Sequence, residues 1–157
     1  PHLLEGNIGT AIKTDNAIDE VKKFLQNRKT AAQKPKVLVV DDSITMRQHM
    51  KELLSKEYDV SLAESGIAAI RTITLNKPDL VLLDYEMPVC DGRQTLEMLR
   101  SDPAFENVPV IFLTGRSDPE SVKKVRSLKP AGYLLKHLNP EEIKKNIDLY
   151  FQKKNAQ

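Results

Sequence analysis

Four short apolar runs in this sequence each end on a residue able to do chemistry. Val37–Val40 runs into Asp41 and Asp42, Leu80–Leu83 into Asp84, Val110–Leu113 into Thr114, and Gly132–Leu135 into Lys136. Three carboxylates brought together repel and raise one another's pKa unless a cation holds them. A hard divalent ion with oxygen ligands meets that need, and in a cell the best fit is Mg2+. Mg2+ usually takes one or two carboxylates plus water, which leaves a carboxylate oxygen free. A free carboxylate beside a divalent cation and a lysine is suited to attack phosphorus. Metal and ammonium would stabilise the transferring oxygens, and a hydroxyl would hydrogen-bond the acyl phosphate.

Each part has a plainer reading on its own. Asp41-Asp42 suits the start of any helix, through the helix dipole. Thr114-Gly115 reads as a turn, and Lys136 as a solvated strand end. Specificity comes from the joint placement after four strands.

Bringing these residues together requires a parallel sheet. Strands are expected at Val37–Val40, Tyr58–Ala63, Leu80–Leu83, Val110–Leu113 and Gly132–Leu135. Between them lie helical patterns: Ser43–Lys56 with Ile44, Met50, Leu53 and Leu54, and Ser65–Asn76 with Ile67, Ile70 and Ile73 on one face. Further helices are expected from Gly92 through Leu96 and Leu99, from Pro119 to Leu128, and from Pro140 to Phe151. Asp118-Pro119 and Asn139-Pro140 read as caps followed by proline at the first helical position. Strands alternating with helices imply βαβ units, and three strands apolar on both faces imply helices on both sides of the sheet. In such a sheet ligands bind outside the carboxyl ends of the strands, where the strand order reverses.

Composition excludes several classes. The 157 residues are 40% hydrophobic with a net charge of +2, which suits a packed core. That balance disfavours a nucleic-acid footprint. The aliphatic runs are too short for a membrane span and the first thirty residues hold no signal-peptide stretch, so a cytoplasmic protein is expected. Cys90, the single cysteine, has no internal disulfide partner. Neither G-x-G-x-x-G nor a P-loop occurs.

Residues 1–35 read as a helical linker or the tail of an upstream domain, with 36–157 as the main domain. Ile18, Val21, Phe24 and Leu25 follow the candidate caps Asp15 and Asn16 at helical spacing, and residues 27–35 are linker-like. Ile12-Lys13-Thr14 and the Asp19–Lys23 stretch echo Leu135-Lys136-His137 and the Glu141–Lys145 stretch. The start at Pro1 suggests a processed chain or a piece of a longer one.

Residues 36–157 resemble the receiver (CheY-like) domain of bacterial two-component response regulators. The resemblance rests on Val37–Ser43, Leu82–Pro88 with Asp91-Gly92, Leu113-Thr114-Gly115 and Tyr133–Lys136. It implies a flavodoxin-like (βα)5 α/β fold with strand order 2-1-3-4-5, preceded here by a helical extension. It implies Asp84 as phosphoacceptor, with Asp41 and Asp42 holding Mg2+ and Glu86 lending its backbone carbonyl. Thr114 matches the switch hydroxyl, Tyr133 the switch aromatic, and Lys136 the contact to the phosphoryl group. The implied donor is a sensor histidine kinase or phosphotransfer protein. The implied output is a downstream protein, a linked domain, or a homodimer through the fourth helix, fifth strand and fifth helix. Such a domain is no enzyme beyond its own phosphorylation and autodephosphorylation.

His137 stands where the family usually has proline. A cis bond before it would cost about 2.5–4 kcal/mol, so a trans Lys136–His137 bond is expected. Glu86 and Arg116, two residues after Asp84 and Thr114, are expected to pair across the phosphoryl group and tune its lifetime. Two other readings fit parts of the pattern: a phosphorylation-independent interaction module, and a haloacid-dehalogenase-like phosphatase. The second lacks its Asp-x-Asp after the first strand, since Asp41-Asp42-Ser43 stands there.

Overall fold

A computed structural model describes residues 17–22, 34–115, 119–136 and 138–156. The chain divides into two units between Lys34 and Pro35. Of the first, residues 17–22 are helical. Asp15, Asn16, Phe24, Leu25, Asp118, Arg116 and His137 lie outside the described residues, as do Ile12-Lys13-Thr14 and Lys23 of the segment resembling Leu135–Lys145.

The second unit alternates strand and helix throughout: β1 (Lys36–Val40), α1 (Ile44–Leu54), β2 (Asp59–Ala63), α2 (Gly66–Leu75), β3 (Leu80–Asp84), α3 (Gly92–Ser101), β4 (Val110–Thr114), α4 (Pro119–Arg126), β5 (Gly132–Leu135) and α5 (Pro140–Asn155). All pairings are parallel, in the order β2-β1-β3-β4-β5. The parallel sheet is what the alternation implied, and its order is the flavodoxin-like one that the resemblance implied.

Successive side chains of a strand point to opposite faces, and the core divides accordingly. Leu38, Val40, Val81, Leu83, Val110 and Phe112 pack with Ala69, Ile73, Leu96 and Leu99 of α2 and α3. Val37, Val39, Leu80, Leu82, Ile111 and Leu113 pack with Met50 and Leu54 of α1 and Ile143, Ile147 and Phe151 of α5. Fully burying an aliphatic side chain contributes about 1.5–3 kcal/mol, so these two layers hold the sheet between helices. Among the described residues no helix is long and apolar enough to cross a membrane.

Helix starts are set by side chains. Ser43 and Ser65 accept amides in the first turns of α1 and α2, Asp91 and Gln94 form a capping box on α3, and Asn139 caps α5 ahead of Pro140. Such a cap contributes about 1 kcal/mol. Glu141 and Glu142 in the first turn of α5 and Lys153 and Lys154 in its last turn favour the helix dipole.

Two positions read as core-facing from periodicity are not. Ile44 and Ile67 are 61% and 52% exposed. Each lies in the first turn of its helix, and the buried contacts of α1 and α2 are made further along, by Met50 and Leu54 and by Ala69 and Ile73. Two strand ends also shift: Asp84 and Thr114 are the last residues of β3 and β4 rather than the first residues after them. The amide of Tyr85 donates to the Leu113 carbonyl and that of Lys136 to the Thr114 carbonyl, so the ladder runs on past the apolar runs.

Candidate functional site

The strand order reverses between β1 and β3, and that is where the acids gather. Asp41 follows β1 and is 1% exposed; Asp84 ends β3 and is fully buried; Asp42 is exposed. One carboxylate oxygen from each lies within 4.8 Å of the others. Burial of Asp41 follows from its backbone, whose amide donates to the Ala63 carbonyl at 3.1 Å and whose carbonyl accepts from Arg47 Nη1 at 2.7 Å. Its Oδ1 accepts the Ser43 amide at 2.9 Å, while its Oδ2 is buried with no hydrogen-bond partner.

Asp84 is tied from two sides. Its Oδ1 accepts the Glu86 amide at 3.2 Å, and Lys136 Nζ lies 3.0 Å from both of its oxygens. The Lys136 side chain is 34% exposed, so its ammonium reaches the acids from the solvent side. Thr114, buried at the end of β4, donates from Oγ1 to Glu86 Oε2 at 3.0 Å. The Gly115 amide donates to Glu86 Oε1, also at 3.0 Å.

The electrostatics follow from burial and an excess of negative charge. Burial pushes Asp84 up to about 7; the Lys136 hydrogen bond opposes this, and the charge of Asp41 adds to it. Asp41 is likewise raised by burial, against the stabilising Ser43 amide. Burial works against the charge on Lys136, yet its bond to Asp84 and the charges of Asp84, Asp41 and Glu86 hold it above the ordinary lysine value. Among the described residues one ammonium faces three carboxylates. The unpartnered Asp41 Oδ2 and this imbalance fit an oxygen-preferring divalent cation. Asp41, Asp42 and Asp84 are the residues able to hold it.

Tyr133 is half-buried on β5, its ring centroid 5.4 Å from that of Phe112, which lies 5.4 Å from Tyr85 on its other flank. An aromatic row thus leads from the residue after Asp84 to the fifth strand. The structure therefore brings together Asp41, Asp42, Asp84, Thr114, Lys136 and Glu86, with Tyr133 nearby in the same sheet. The pairing expected between Glu86 and Arg116 lies outside the described residues, as does the Lys136–His137 bond.

Three contacts go beyond the sequence reading, two of them made by residues it names, Glu86 and Gly92. The Glu86 carboxylate ties Thr114 to Gly115, and Arg47 braces the Asp41 carbonyl. Gly92 allows α3 to start against the backbone, since a Cβ there would meet the Asp84 carbonyl oxygen at 2.7 Å and Tyr85 Cα at 2.8 Å. Glu86 and Gly92 left a signal by lying in the segments Leu82–Pro88 and Asp91-Gly92, and Arg47 left none.

Comparison with known proteins agrees with this architecture. The response regulator receiver domain matches residues 37–148. Chemotaxis protein CheY1 of Helicobacter pylori is 32% identical over 73% of this chain and 94% of its own length. Hybrid signal transduction histidine kinase D of Dictyostelium discoideum is 33% identical over 99% of this chain and 10% of its own length. A solved structure of chemotaxis response regulator CheY4 of Vibrio cholerae superposes with a TM-score of 0.70 at 29% identity, over 75% of this chain and 99% of that one. The chain belongs to the response regulator receiver domain family. It spans 10%, 27% and 12% of the length of three curated relatives that it matches.

Proposed function

We propose that this receiver accepts a phosphoryl group on Asp84 in a Mg2+-dependent reaction and passes the signal on by a change of conformation. The observation that carries the reading is Asp41 Oδ2, buried without a partner in the same acidic cluster as an Asp84 that Lys136 holds. Such an arrangement supplies a nucleophile, an ammonium and a place for a cation together.

The donor is a phosphohistidine of a sensor histidine kinase or phosphotransfer protein. An Asp84 oxygen attacks phosphorus, the P–N bond breaks, and the imidazole leaves with the electron pair and takes up a proton. Asp41, Asp42, Asp84 and the Glu86 backbone carbonyl would hold the Mg2+, which would supply charge neutralisation of the phosphoryl oxygens. Lys136 shifts from the Asp84 carboxylate to a phosphoryl oxygen, and Thr114 donates its hydroxyl to another. A ligand moves an equilibrium only through differential contacts. Here Thr114 makes that contact and Tyr133 repositions with it. This remodels the face of α4, β5 and α5 for a downstream protein, a linked output domain or a second copy of the chain. Matches to a hybrid histidine kinase and a sensor histidine kinase support partners of the two-component kind. The domain turns over nothing besides its own acyl phosphate, acts in the cytoplasm, and has its phosphate lifetime tuned at Glu86 and Arg116.

The test is incubation with Mg2+ and acetyl phosphate, reading for an acid-stable, base-labile phosphoprotein. Modification lost in Asp84→Asn supports the reading. No modification at saturating donor replaces it with a phosphorylation-independent interaction module. Rapid turnover of free phosphate esters replaces it with a phosphatase.

A further inference from the structure

We infer that the Glu86 carboxylate is a resident occupant of the phosphoryl seat, so that phosphorylation must first expel a group belonging to the protein itself. The inference rests on Asp84 being the phosphoacceptor, and it adds a competitor that this reading does not contain.

The seat consists of two donors from consecutive residues, the Thr114 hydroxyl and the Gly115 amide. Both are engaged by one carboxylate, Glu86 Oε2 taking the first and Oε1 the second, each at 3.0 Å. A planar carboxylate bridging two donors offers the same pair of acceptor oxygens as one face of a phosphoryl group. The donors sit beside Asp84 by register, because Asp84 pairs with Leu113, the residue before Thr114. Glu86 reaches them from the turn that holds the acceptor, since its own amide donates to Asp84 Oδ1 at 3.2 Å.

Two anions cannot share that seat. A phosphoryl group on Asp84 would face the Glu86 charge directly and would find both donors already in use. Glu86 is exposed, so it can swing into water without disturbing the core. Displacement then exchanges two hydrogen bonds for others to water, and no covalent bond of Glu86 forms or breaks. After the acyl phosphate is lost, the carboxylate returns and holds Thr114 in its resting position. Glu86 is therefore a positioning residue that sets the fraction of molecules able to receive the group, and apparent affinity scales with that fraction.

The test uses beryllofluoride with Mg2+ as a phosphoryl mimic on the wild-type chain, Glu86→Ala and Glu86→Asp. The Gly115 amide is followed by NMR in the same samples. Glu86→Ala should bind the mimic about tenfold more tightly, which corresponds to about 1.4 kcal/mol. Glu86→Asp keeps the charge on an arm one carbon shorter, too short to bridge both donors, and should gain nearly as much. In both variants the resting Gly115 amide proton should move upfield as it loses a carboxylate acceptor. Wild-type affinity in Glu86→Asp alongside a gain in Glu86→Ala would mean simple charge repulsion and overturn the inference. So would an unchanged affinity or an unmoved Gly115 amide in Glu86→Ala. A wild-type chain that takes no beryllofluoride would instead bring down the phosphoacceptor reading, and this one with it.

Discussion

Replacing Asp41 by asparagine should stabilise the metal-free protein. The side chain is buried, and its Oδ1 accepts the Ser43 amide at 2.9 Å, a bond the asparagine carbonyl can keep. The change falls on Oδ2, which has no partner. Stranding a buried charged atom costs more than the ~1–3 kcal/mol of a neutral polar one, and the amide that replaces Oδ2 carries no charge. The substitution also removes one of the causes that raise Asp84, after burial itself. A gain of about 1–3 kcal/mol is expected at pH 8 in EDTA, enough to lift the melting temperature by about 3–8 °C. The pH dependence has a definite sign. Asp41 and Asp84 are both raised in the folded state, so folding favours their protonated forms. The stability they allow is fully present below the ordinary carboxylate value of about 4 and is lost as pH rises through the folded value of Asp84, about 7. The advantage of the asparagine variant should therefore be small at low pH and reach its full size above that value. Mg2+ should stabilise the wild-type chain and narrow the gap, because binding to the folded state alone raises its stability. Urea unfolding followed by circular dichroism, in EDTA and in Mg2+ across this pH range, measures all of it. An Asp41→Asn variant less stable than wild type at pH 8 in EDTA, or an advantage that does not grow with pH, would refute the reasoning.

Lys136→Ala should push the Asp84 carboxyl further above its raised value, because the ammonium 3.0 Å from both oxygens opposes that rise; carbon-detected NMR titration reads it, and an unmoved midpoint rejects the ion pair. Gly92→Ala should cost about 1–3 kcal/mol in urea unfolding, since its methyl group meets rigid backbone at the end of β3 rather than a movable side chain. Arg100→Ala should cost about 2–3 kcal/mol by the same measure. Its guanidinium donates to the carbonyls of Val108, Leu128 and Lys129 at 2.8, 2.8 and 3.3 Å, and a variant as stable as wild type would show that water replaces it freely.

The alternation of strands and helices was legible because it lies in local periodicity, and so was the cap Asn139, whereas the capping box of Asp91 and Gln94 was not. The placement of Asp84 at the carboxyl edge of the sheet was legible too, but its full burial as the last residue of β3 was not. The register that extends β3 to Asp84 and β4 to Thr114 was not, because the hydrogen bonds that decide it belong to neighbouring strands. The bridge from Glu86 to Thr114 joins residues 28 apart and depends on which rotamer reaches across. Nothing in the local sequence encodes that choice. Ile44 and Ile67 misled for a related reason: helical spacing identifies a stripe but not how far along the helix its neighbours extend.

The fifth strand is the least anchored part of the sheet. It has four residues, none of them fully buried, and it pairs on one side only, with β4. Stability within a protein is distributed unevenly, and segments with few buried contacts open first. The only cation paired with Asp84 among the described residues follows directly on this strand, and Tyr133, whose ring packs on Phe112, belongs to it. The acidic cluster at the centre of the sheet is therefore mechanically joined to a short, half-buried edge strand. Backbone amides of 132–135 should exchange with solvent well before those of β1 and β3. Whatever tightens or loosens Lys136 would then change that exchange rate first, before the core registers any change.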